Sequence, residues 1–270
     1  ITILLMYVRN FLYLSKDWTV QNIEQMFGET NSLQWRCAIQ AYSYVGWLIP
    51  EIHAHFKEKQ YYPALLDDES FSDTVKGRYI EYACIAYLQK RDQLDDESLL
   101  RLLLGRQKES ELSKVVWFLW SIRDQNIEKT KELVFALWPD LVELINQQNF
   151  DKKPLASKLA LWVEYIDELT VDTKAWLMAV APYVNDDHNG MSFMKEMARL
   201  SEGYATDVAD IWIETLSKPF YMYDLDPLET IFKNIISLGQ GGQVISKKIA
   251  DIYIKNNDEP VVAMYQRITK

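Results

Sequence analysis

Turn formers are scarce in this chain. Its 270 residues carry 9 glycines and 8 prolines, well under the average usage of roughly 7% and 5%. That scarcity argues against a fold built from many short strands and tight turns. It fits an all-α chain with short connections. Cysteine is nearly absent, with Cys37 and Cys84 alone, and no Cys-x-x-Cys or Cys/His spacing points to zinc. Both stand in apolar, helical context (Trp35-Arg36-Cys37-Ala38-Ile39 and Tyr82-Ala83-Cys84-Ile85-Ala86). They read as two buried, reduced thiols of a cytoplasmic protein.

Histidine is as rare: His53, His55 and His188 are all there are. So few argue against metal-dependent hydrolysis and against Ser-His-Asp catalysis. His53 and His55, two apart on a helix, point about 200° away from each other and cannot chelate together. Glu51 and His55 share a face, but two ligands do not make a site. No run of Lys or Arg interrupts a net charge of −10. Nucleic-acid binding draws on Lys and Arg neutralising phosphates, so the acidic balance speaks against it. Long apolar runs are also missing. Ile1 to Met6 is too short for a membrane span and lacks a preceding basic region, so neither a signal peptide nor a membrane helix is expected. Starting at Ile1 rather than Met, the chain reads as a piece of a longer polypeptide whose first helix is Ile1 to Leu14.

What is present is a series of wide apolar stripes heavy with Trp and Tyr. Leu155, Leu159, Trp162, Val163, Ile166 and Leu169 recur by threes and fours, as do Tyr204, Val208, Ile211, Trp212 and Leu216. Leu228, Ile231, Phe232, Ile235 and Ile236 repeat the pattern. This is the period of amphipathic helices packed along one side. More than ten such helices in antiparallel pairs, stacked as an α-solenoid of the HEAT or tetratricopeptide kind, is the expected fold. From Pro154 onward the pairs recur at roughly 35 to 40 residues, the range of such repeats. The diagnostic tetratricopeptide residues are missing, which favours HEAT-like, degenerate repeats. The polar stretch Asn146 to Lys153 is the expected soft boundary, giving an N-terminal part, 1–150, and a C-terminal part, 151–270.

Break signals locate the helices. Asn31 with Gln34 predicts the cap of a long helix that kinks near Gly46 and restarts at Pro50. Further starts are expected after Asp95 and near Ser110, Asn126, Pro154, Asp172, Asn189, Glu202 and Asp226. Asp226-Pro227-Leu228-Glu229 predicts a helix start in which Asp226 caps and Glu229 completes a capping box.

In the second half, Ala179-Val180-Ala181-Pro182-Tyr183-Val184, Asp187-His188-Asn189, Met197-Ala198-Arg199-Leu200 and Ile235-Ile236-Ser237-Leu238-Gly239 form a set. Over residues 154–267 it resembles the C-terminal helical-repeat region of large bacterial multidomain proteins. In those, a sirtuin-like or nuclease effector, or a STAND-type nucleotide-binding domain, precedes the repeats. The resemblance implies a sensor or scaffold in anti-phage defence. It carries over no catalytic residue, because the effector domains are not in this chain.

Four constellations have the letters of a chemical site. Asn185-Asp186-Asp187-His188-Asn189-Gly190 with Glu196 approximates a calcium loop, with oxygen ligands from Asn185, Asp187, Asn189 and Glu196. Asn185 in place of Asp, and Ser192 in place of an apolar residue, depart from it, and an ordinary interhelical loop has the same composition. Leu66-Asp67-Asp68-Glu69-Ser70 and Leu94-Asp95-Asp96-Glu97-Ser98 repeat five letters that, in an all-α chain, suggest magnesium-binding aspartates of isoprenoid synthases. Each instead precedes a helix, where acids cap and favour the positive end of the dipole. Gly239-Gln240-Gly241-Gly242 could face a phosphate, but without a preceding strand or a following Lys-Ser/Thr it reads as a helix end and tight turn. Trp117 and Trp120, three apart, read as a packing ridge in the core rather than a ligand groove.

The expected function is therefore a non-catalytic helical-repeat module that recognises a protein or holds neighbouring domains, with no cofactor. The alternatives are a HEAT-like nucleic-acid-binding protein and a cryptic all-α enzyme with a carboxylate metal site. The expected partner contacts are the aromatic clusters Tyr61-Tyr62-Pro63 and Tyr221-Met222-Tyr223, unless those rings fold back over nearby helix ends.

Overall fold

The structure, a computed structural model, describes residues 2–125, 127–147, 153–185, 189–218, 220 and 224–270. Among them the secondary structure is entirely helical, with seventeen α-helices and two 3₁₀ segments. The chain divides into two compact units, 1–119 and 120–270. The division falls well before the polar stretch at 146–153 and inside a helix, where no loop composition marks it.

The first unit opens with four short helices: α1 (Thr2–Met6), α2 (Val8–Leu14), α3 (Lys16–Gln21) and α4 (Ile23–Phe27). It continues through α5 (Leu33–Ser43), α6 (Pro50–Glu58), α7 (Tyr61–Asp67), α8 (Asp73–Leu88), α9 (Leu99–Arg106) and α10 (Glu109–Ser121). The side chain capping α5 is Ser32, whose hydroxyl accepts from the Trp35 N–H. Asn31 instead takes a positive φ, and Gln34 reaches back to the Gln25 carbonyl. The expected kink at Gly46 is a full break, and Pro50 restarts the chain as expected. The core is aromatic: Phe27, Trp35, Tyr42, Phe56, Tyr61, Tyr62, Tyr79 and Tyr82 are all buried and linked ring to ring.

The second unit comprises α11 (Ile127–Asn146), α12 (Lys153–Leu159), α13 (Val171–Val180), α14 (Gly190–Thr215), α15 (Asp226–Ile236), α16 (Gln240–Lys255) and α17 (Glu259–Ile268). The 3₁₀ segments are Ala160–Tyr165 and Ala181–Tyr183. Each of the helices α13 to α16 packs on the next one along the chain. The apolar stripes point inward as expected: Leu155, Leu159, Trp162, Val163, Val208, Ile211, Trp212, Leu228, Ile231, Phe232 and Ile235 are fully buried. Trp138 stacks on Trp176 at 5.3 Å and meets Trp162 edge-on at 5.5 Å. The start expected near Glu202 is a break in α14 at Tyr204, whose backbone is not helical. No Cβ fits at Gly242, where it would lie 1.8 Å from the Ile235 carbonyl oxygen. That glycine serves the close approach of α15 and α16, not a phosphate.

Polar links recur at one spacing in each unit. In the first, Arg36–Asp68, Lys57–Asp92, Lys59–Glu24, Tyr61–Gly28, Tyr79–Ile39 and Tyr82–Tyr42 join residues 32 to 40 apart. In the second, Lys131–Asp167, Lys174–Asp207, Asn189–Ser157, Arg199–Ile166, Asn234–Ser201 and Arg267–Glu229 join residues 32 to 38 apart.

Candidate interaction surface

The residues singled out in the sequence fall in unlike places. Tyr61 and Tyr62 open α7, yet both rings are buried, and the expectation of a solvent-facing aromatic anchor is corrected there. Their neighbours explain it. Tyr61 packs against Phe27, Trp35, His55 and Phe56, with its hydroxyl donating to the Gly28 carbonyl at 2.7 Å. The Tyr62 hydroxyl lies 2.7 Å from His53 Nδ1. Tyrosine bodies bury well when the hydroxyl finds a partner, and both do. Tyr221 and Tyr223 lie outside the described residues, as does Asp187.

Of the calcium-loop letters, Asn189 and Glu196 are engaged within the fold. Gly190 to Glu196 are helical, which carries Glu196 roughly 10 Å along the axis from Asn189 at 1.5 Å per residue. The Asn189 amide donates to the carbonyl and hydroxyl of Ser157, and Glu196 pairs with Arg199 at 2.7 Å. Among the described residues no group of three or more His, Cys, Asp or Glu side chains could hold a metal ion. The twin Leu-Asp-Asp-Glu-Ser stretches do different local work. Asp68 accepts from the Ser70 N–H and binds Arg36, while Asp95 accepts from the Glu97 N–H and Ser98 caps α9. Arg36, ahead of two bonds from Ser70, holds the Asp68 carboxyl down at about 2. Cys37 is exposed rather than buried, and Cys84 is buried with its thiol pushed up by desolvation. Trp117 is exposed, and Trp120 hydrogen-bonds Glu164 through Nε1 with Arg123 over its ring, so neither is the core ridge expected.

A cleft of about 630 Å³ opens in the first unit between the end of α6, the start of α7 and the first turn of α9. Several of the polar groups in and beside it are already engaged. Lys57 binds Asp92 at 2.6 Å, and Asp92 also accepts the Leu99 N–H. Ser98 takes the Arg101 N–H. Two N–H groups that a helix start offers to an anion are thus occupied by the protein itself. Behind the cleft, His53 is pushed down to about 4, chiefly by burial, with Asp92 opposing and Lys57 reinforcing. Burial likewise raises Tyr62 and Tyr79 well above the usual phenol range. These are core groups kept neutral, not a poised acid and base.

The feature that sequence reasoning missed lies at the start of the chain. Of sixteen large apolar side chains that stand exposed among the described residues, eight fall between Ile3 and Val20. Tyr13 is 91% exposed and Leu14 75%. The same helices have a buried side: Leu5 and Val8 are fully covered, and α1 packs on α5. Phe11 and Trp18, 6.1 Å apart, join α2 to α3. Arg9 lies 4.7 Å over the ring of Trp47, which is exposed, as is Tyr44. The signal was available in the letters. Ile3, Leu4, Leu5, Met6, Tyr7, Val8, Phe11, Leu12, Tyr13 and Leu14 leave no polar face, and a helix apolar all round is a buried one.

No family model, no curated protein and no solved structure matches this chain. No helix among the described residues is long and apolar enough to cross a membrane.

Proposed function

We propose that the chain is a helical-repeat module that works by binding protein rather than by converting a substrate. The observation that carries this reading is the concentration of exposed apolar side chains in α1 to α3, with Tyr44 and Trp47 exposed as well. Exposed aromatic and aliphatic side chains of this kind are what protein recognition uses. The repeat architecture, antiparallel helix pairs stacked as a solenoid, is supported by the polar links that recur 32 to 40 residues apart. In a stacked array each repeat touches its neighbours, so contacts recur at the repeat length. In the setting that the sequence resemblance implies, such a module is the sensor or scaffold part of a bacterial defence protein.

The test is co-purification. The wild-type chain should retain a defined protein in fixed stoichiometry, and Tyr13→Ser with Leu14→Ser should lose it at an unchanged melting temperature. Retention by the double variant, or turnover of a substrate by the purified chain that one point mutation abolishes, would overturn the reading.

A further inference from the structure

We infer that α6 and α7 form a proton-operated latch within the first unit: two histidines of α6 hold the two tyrosines that open α7, and acid releases this corner while the rest of the chain stays folded. His53 and His55 stand two apart on α6 and so point to opposite sides of it. Each meets one ring of α7. His53 faces Tyr62, with ring centroids 5.7 Å apart and Nδ1 2.7 Å from the hydroxyl. His55 meets Tyr61 edge-on at 5.4 Å. Nε2 of both imidazoles is buried and has no partner among the described residues. One turn further along, α6 repeats the arrangement with charge. Lys57 binds Asp92, ahead of α9, at 2.6 Å, and Lys59 binds Glu24 of α4 at 2.8 Å. The run His53-Ala54-His55-Phe56-Lys57-Glu58-Lys59 therefore sets a histidine four residues before a lysine on each side.

Protonation undoes both sides by the same steps. A neutral imidazole donates from one nitrogen and accepts at the other, whereas an imidazolium donates from both. Nε2 of each ring would then carry an N–H without an acceptor among aromatic neighbours, where an unpartnered charge is costly. At His53, Nδ1 can no longer accept from Tyr62. Each new cation also lies one turn from a lysine, and like charges at that spacing repel. The charged groups that face His53 are Asp92, which attracts it, and Lys57; those that face His55 are Glu24 and Glu58, which attract it, and Lys59. Asp92 and Glu24 are already held by the lysines, and burial outweighs the attraction at both rings. Tyr61 and Tyr62, raised by burial, stay neutral and offer no compensating charge. The helix they open is only seven residues long. A helix that short depends on its tertiary anchors, so losing them opens α7 first.

Hydrogen exchange read by mass spectrometry on the full chain tests this, at pH 7.5 and at pH 5.5, where free carboxylates are still ionised. After correction for the intrinsic rate, peptides covering 50–67 should exchange about tenfold faster at pH 5.5, the factor that His53 alone supplies. Peptides covering 190–215 should not change. His53→Gln with His55→Gln should exchange alike at the two pH values over 50–67. If that double variant fails to fold, His53→Gln alone gives the comparison and should remove most of the acceleration. Wild-type exchange over 50–67 that ignores pH overturns the latch. So does acceleration that persists in the glutamine variants, which would place the acid-sensitive group elsewhere. Equal acceleration over 190–215 overturns it too, since acid would then loosen the whole chain and not this corner.

Discussion

At the scale of single residues, the chain shows what burial does to a titratable ring. His53 is almost fully covered; Nδ1 is joined to Tyr62, and Nε2 has no partner in the protein. Its pKa lies at about 4 in the folded state against roughly 6.5 when unfolded. The unfolded chain therefore takes up the proton first. Above pH 6.5 the group costs nothing, and between 6.5 and 4 stability falls as pH falls, by about 1.4 kcal/mol per pH unit. At pH 5 the loss is about 2 kcal/mol. His53→Gln, which keeps a hydrogen-bonding group but cannot titrate, should flatten this part of the curve. Urea melts of both proteins at pH 7 and pH 5 check it, and an equal loss in the two excludes His53 as the cause. The letters could not have told that Tyr61 and Tyr62 are core. A Tyr-Tyr-Pro string reads alike on a surface and at a buried helix start, and only the partners at Gly28 and His53 decide.

At the scale of helices, the sequence was most legible where one side is polar and the other is not. The stripes of α14 and α15 are amphipathic, and Val208, Ile211, Trp212, Leu228, Ile231, Phe232 and Ile235 are buried as their spacing said, while Tyr204 and Ile236 are half-buried. The stripe that starts at Leu155 is buried too, although α12 ends at Leu159 and a 3₁₀ segment carries Trp162 and Val163. Where helices are apolar on both sides, as in α1 and α2, periodicity has nothing to measure and the exposed face went unread. Caps were legible only in part. Ser98 caps α9 through the Arg101 N–H, whereas Asp226 is the first residue of α15 rather than its cap, and the expected capping box is not formed. Accordingly, Ser98→Ala should cost about 1 kcal/mol and Asp226→Ala less than about 0.5 kcal/mol, the loss of a dipole contact alone. Equal losses in thermal melts would show that Asp226 does cap. Gly242→Ala should be the more damaging change, at about 2–3 kcal/mol, because a methyl group has to force α16 away from the Ile235 carbonyl. A melting temperature within a degree of wild type would rule out the close approach of α15 and α16.

At the scale of the whole molecule, net charge and apolar surface act against each other. The chain carries −10 at neutral pH and reaches zero near pH 4.9. Repulsion that keeps copies apart elsewhere fades as that point is approached. Any association between copies should therefore strengthen from pH 7.5 to pH 5.5, and strengthen at pH 7.5 when salt is raised, since screening acts on the same repulsion. Light scattering across both series checks this, and a constant apparent mass would show that charge does not govern association. The first unit also carries its own reporters for that event. Trp18 and Trp47 are 46% and 59% exposed, while Trp35 sits in the interior against Tyr61 and Phe71. A partner that covers Trp18 and Trp47 moves two indoles from water into an apolar setting and leaves Trp35 where it was. Docking should thus be visible without a label, as a blue shift of the emission and reduced quenching by iodide, and the same titration should be silent in a chain whose Trp18 and Trp47 are both phenylalanine.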